Sequence, residues 1–137
     1  MNAIRATSFA FQIAALSTCL APAMAEAAPP YAPEAICRTA IASIMGRDPK
    51  IVQVTRVAGD ILFLSYVRPI DNFVWDYRCK IEGNRVVWAS EPGRWREEPK
   101  DDKVFFEIVE DGKQLRIIED HGDGSATKEL FERDQIQ

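Results

Sequence analysis

Histidine is almost missing from this chain, occurring once in 137 residues, as His121. That scarcity excludes His-rich metal knuckles and confines imidazole-based acid–base chemistry to one loop. No GxSxG elbow, HExxH helix or CxxC pair occurs, so the common signatures of hydrolases, zinc proteases and thiol redox proteins are absent. Basic residues are outnumbered, 17 Lys and Arg against 21 Asp and Glu. An acidic chain has no electrostatic drive toward nucleic acid or anionic lipid, and neither is expected as a partner. Cysteine is sparse as well: Cys19, Cys37 and Cys79. After Glu26 no apolar run approaches the about 20 residues a membrane-spanning helix needs.

What is present starts with location. Met1 to Arg5 is short and basic, Ala6 to Leu20 is mostly apolar, and Ala23-Met24-Ala25 puts small residues where a signal peptidase reads. This three-part layout predicts a secretory signal over residues 1–25, cleaved before Glu26. Gln12, Ser17 and Thr18 interrupt the apolar stretch, which argues against a membrane span. A second reading takes Leu16-Ser17-Thr18-Cys19 as a lipobox with a lipid anchor on Cys19, although Thr18 fits that pattern poorly. Both readings export the chain, to the periplasm or the medium. Removing residues 1–25 takes away only Arg5 among the charges and leaves 112 residues, one domain's worth.

Two cysteines then remain. In an oxidising compartment Cys37 and Cys79 are expected to form one disulfide. A loop of that length corresponds to about 4 kcal/mol of stabilisation from lost chain entropy, as an upper value.

The chain divides by hydrophobic period. Residues 26–33 are rich in Ala and Pro and read as an extended, mobile leader. A helix is expected from Pro33, with Glu34 in its first turn and Gly46 as its stop. Ile36, Cys37, Ala40, Ile41, Ile44 and Met45 form its apolar stripe, and Arg38, Thr39 and Ser43 take the other side. From Lys50 the period falls to 2, giving seven candidate strands: 51–57, 61–68, 73–81, 85–90, 103–110, 114–119 and 127–133. Gly83-Asn84 and Asp111-Gly112 read as two-residue hairpin turns. Short links force antiparallel neighbours. The expected fold is α+β: an N-terminal helix packed on a twisted antiparallel meander of five to seven strands, forming a single domain over 34–137. Alternation places Phe73, Trp75, Tyr77, Cys79 and Ile81 on one face, so a Cys37–Cys79 bond puts that aromatic face under the helix.

Two segments are candidates for function. The longest link among the strands, 90–102, carries Arg94-Trp95-Arg96 between prolines, and Trp and Arg are the side chains most enriched at binding hot spots. The competing reading makes Trp95 a cap on the core edge, with the arginines paired to Glu97 and Glu98. The second segment is Glu119 to Ser125, where His121 with Asp120 or Asp123 could serve a small hydrolase or a metal-dependent enzyme. Asp120, Asp123 and Ser125 do not match the spacing of a calcium loop, and turn geometry alone accounts for such residues. No cofactor and no metal is assigned. Arg68 and Asp71 read as a local ion pair. The leading expectation is a non-enzymatic binding or accessory module of the cell envelope, such as an inhibitor of another protein, using Arg94, Trp95 and Arg96 or an exposed sheet face.

Overall fold

The computed structural model describes residues 19–23 and 30–137. The proposed signal cleavage site lies outside the described residues. A helix, α1 (Pro33–Met45), is followed by a single 3-10 turn at Pro49–Ile51. Seven strands then run in order: β1 (Gln53–Ala58), β2 (Ile61–Val67), β3 (Val74–Glu82), β4 (Arg85–Ser90), β5 (Lys103–Val109), β6 (Gln114–Asp120) and β7 (Ala126–Glu132). A short C-terminal helix, α2 (Arg133–Ile136), closes the chain. Every strand pairs antiparallel with its sequence neighbour, in the order β1 to β7. The fold is an N-terminal helix on a seven-stranded antiparallel meander.

Local chemistry explains the helix limits. Pro33 supplies a preset φ at the start, and Gly46 ends the helix at φ 61°, where the Arg47 N–H reaches Ala42 O at 2.8 Å. The helix is wrapped more fully than its stripe suggests. Thr39, assigned to the outer side from sequence, is completely buried, and its hydroxyl donates to Ala35 O at 2.7 Å. Arg38 donates to Ile136 O, so α2 covers a side of α1 that the sheet leaves open.

The sheet face under α1 carries Leu62, Leu64, Tyr66, Tyr77, Cys79, Val86, Val104, Leu115, Ile117 and Phe131, all buried. Their registers agree: Leu62 faces Cys79, Leu64 faces Tyr77, Val86 faces Val104 and Leu115 faces Phe131. The Cys37–Cys79 disulfide joins α1 to β3, with Cα atoms 6.0 Å apart. On that face of β3 Tyr77 is buried and Trp75 half-buried, and Phe73 just before the strand is exposed, so helix cover runs out toward the β2–β3 turn.

Three sequence expectations are corrected. The leader is not free as far as residue 33: Tyr31 is buried, its hydroxyl donates to Gly112 O at 2.9 Å, and Arg133 donates to Pro30 O at 3.0 Å. An aromatic ring gains enough from burial to draw a short Pro-flanked segment onto the body. The β5–β6 connection is four residues rather than the two of Asp111-Gly112, because Val109 pairs with Gln114 and both Glu110 and Asp111 take positive φ. The helical stripe omitted Thr39, as described above.

Candidate functional site

The meander parts between β4 and β5. Only Arg85 with Phe105 and Val86 with Val104 pair there, and residues 91–102 fill the gap. This link runs back along the open edge of β4, where the Arg96 N–H donates to Trp88 O at 2.8 Å in place of a strand neighbour.

Arg94, Trp95 and Arg96 diverge from that edge. Arg94 makes a two-pronged contact with Asp101, at 2.6 and 2.7 Å, and lies 3.7 Å from Glu98. The Arg94 guanidinium holds the Asp101 carboxyl far below the usual carboxylate range. Trp95 is half-buried on the sheet face away from α1, with Arg78 at 4.7 Å and Lys80 at 4.8 Å from its ring centre. The cross-strand partners of those cations, Ala89 and Val87, are fully buried on that face. Arg96 lies over Trp88, 5.2 Å from the ring, on the helix side. Each of the three therefore makes an internal contact, and Trp95 fits neither the fully exposed nor the fully buried reading.

Around His121 the structure assembles a different set from the one the sequence suggested. Strand alternation turns Asp120 away from His121 and brings Glu119 to the same side. The Asp120 carboxylate accepts from the Gly122 N–H at 2.9 Å, and that of Asp123 accepts from the Ser125 N–H at 2.9 Å, so both serve the β6–β7 turn. His121 instead meets Asp102, the residue just before β5, Nδ1 to Oδ2 at 2.9 Å, and Thr127 on β7, Nε2 to Oγ1 at 2.8 Å. One ligating atom each of Asp102, Glu119 and His121 lies within 4.8 Å of the others. The hydrogen bond to Asp102 raises the His121 pKa against some desolvation, and burial raises that of Glu119 with the Asp102 charge adding. A groove of about 220 Å³ adjoins this cluster, lined by Trp88, Arg96, Lys100, Asp101, Asp102 and Glu119.

A third feature escaped the sequence reading. The β2–β3 turn displays Val67, Ile70, Phe73 and Val74, with Ile70 88% exposed. Its backbone is nonetheless firmly held. The Arg68 N–H donates to Phe73 O at 2.8 Å, the Asn72 N–H donates to Arg68 O at 2.8 Å, and Asn72 takes φ 57°. The Asp71 carboxylate accepts from Arg68 Nε at 2.9 Å and from the Phe73 N–H at 3.1 Å. The ion pair is local, as expected, and it locks a turn that carries apolar side chains outward. The bond from Arg68, aided by Phe73, holds the Asp71 carboxyl at about 2 despite some desolvation. The signal in the sequence was Ile70 and Phe73 bracketing Asp71-Asn72.

Searches for related proteins found no matching family model, curated protein or solved structure. Among the described residues no helix is long and apolar enough to cross a membrane.

Proposed function

We propose that this chain is an exported, non-enzymatic binding module that docks the β2–β3 turn into an apolar cleft of a partner protein. The observation that carries this reading is the pairing of rigidity with exposure: Asp71 and Arg68 fix the backbone while Ile70, Phe73, Val67 and Val74 face solvent. A preorganised loop loses little entropy on docking, so its apolar contacts are retained as affinity. Clustered exposed apolar residues on a small domain mark interaction sites. A convex tip calls for a concave partner surface, which is the geometry of an inhibitor or accessory protein. The Cys37–Cys79 disulfide supports an oxidising, extracytoplasmic location. Arg94, Trp95 and Arg96 are assigned a supporting role, bracing the open edge of β4. Zero-length crosslinking of the exported protein to envelope components tests the reading, using Ile70→Asp as the comparison. A saturable crosslinked partner lost in Ile70→Asp supports it, and a partner retained equally by both removes the tip from the function.

The enzymatic alternative keeps one specific support, the convergence of two carboxylates on His121. Its residues would be Asp102 and Glu119 instead of Asp120 and Asp123.

A further inference from the structure

We infer that Asp102, Glu119 and His121 form a binding site for a single zinc-class divalent cation, open on one side to the groove beside Trp88 and Arg96. The site is built from the residue before β5, the end of β6 and the β6–β7 turn, and it stands independently of the β2–β3 tip. Its three donors come from separate positions that strand pairing holds in place: Val104 faces Glu119, and Glu119 faces Thr127. Donor atoms within 4.8 Å of one another need only small side-chain movements to share one ion. Nδ1 of His121 and Oδ2 of Asp102 are 2.9 Å apart, near the roughly 3.3 Å between two tetrahedral ligands at about 2.0 Å from zinc.

Thr127 supplies the supporting contact. A metal-bound imidazole usually donates its second N–H to an oxygen that fixes the ring, and Thr127 Oγ1 stands 2.8 Å from Nε2. With the proton on Nε2, the Nδ1 lone pair points toward the carboxylates. Among the described residues, the Glu119 carboxylate has no hydrogen-bonding or salt-bridge partner, so it is available as a ligand. The groove alongside Asp102 and Glu119 leaves room for water or another small ligand on the ion, as in zinc sites with three protein ligands. An imidazole with two carboxylates selects zinc over calcium, which takes six to eight oxygens, and over magnesium, which keeps its water.

The test uses the oxidised full chain carrying Cys19→Ser, which removes the exposed thiol outside the Cys37–Cys79 disulfide as a competing zinc ligand. Equilibrium dialysis and calorimetry with zinc chloride are expected to show one ion per chain. Glu119→Gln and His121→Ala are expected to abolish that binding. Thr127→Val is expected to weaken it by about 10–100-fold. Circular dichroism and a disulfide assay establish that each variant is folded, and Asp102→Asn replaces any variant that is not. Absence of bound zinc in the folded parent, binding undiminished in the ligand variants, or tighter binding of calcium or magnesium than of zinc would each overturn the assignment.

Discussion

At Trp95 a side chain chosen from sequence as a binding hot spot turns out to hold two cations of its own sheet. Arg78 and Lys80 approach the ring, while Val87 and Ala89 are sealed on the same face. Replacing Trp95 with Ala should lower stability by about 1–3 kcal/mol, less than emptying a fully buried aromatic site and more than an exposed change. A denaturant titration reads this directly, and an unshifted midpoint would show that the link does not brace β4. Composition could flag Arg94-Trp95-Arg96 as unusual, but the direction of each side chain depended on the parting of β4 from β5. Asp71 yields a second residue-level test. Its folded pKa of about 2 lies below the ordinary value of about 3.9, so its stabilising effect is complete above the ordinary value. That effect is lost as pH falls through about 2. Carboxyl-carbon NMR should place Asp71 at about 2 in the parent and return it to the usual range in Arg68→Met. An ordinary titration in the parent would mean that the turn is not pinned.

Among the elements, helix and strands were the most legible. Each has the period of its own geometry, and Gly or Asp residues mark most of the turns. Turn length was harder to read: Asp111-Gly112 matched a two-residue hairpin, yet the turn also packs against Pro30, Tyr31 and Arg133, and that contact accompanies a four-residue link. The disulfide is the covalent join between helix and sheet. Cys37→Ala with Cys79→Ala should cost about 2–5 kcal/mol, measured by denaturant unfolding under non-reducing conditions. An unchanged transition would deny the join any role in stability. The β2–β3 hairpin behaves differently at its tip: Phe73 leans on Trp75, 5.5 Å between ring centres, but Ile70 is 88% exposed. Ile70→Asp should move stability by less than about 0.5 kcal/mol, and a clear drop in Tm would show that Ile70 packs against the body.

Across the whole molecule, register decides which residues meet. Glu119 and His121 were recoverable as neighbours on one strand face, since they are two residues apart. Asp102 was not, because 19 residues separate it from His121 and only the pairing of β5 with β6 unites them. Tyr31 escaped for the same reason: its partners Gly112 and Arg133 lie far along the chain. The domain thus carries two separate features, a pinned apolar turn on β2–β3 and a polar cluster on β5–β7. The first is the proposed docking element. It is tested most directly by affinity of the purified partner, once crosslinking has identified it, for the parent protein and for Ile70→Asp at equal folded concentration. Ile70→Asp is expected to lose at least about tenfold in affinity, equivalent to about 1.4 kcal/mol, with an unaltered melt. Equal affinity of the two proteins would contradict it.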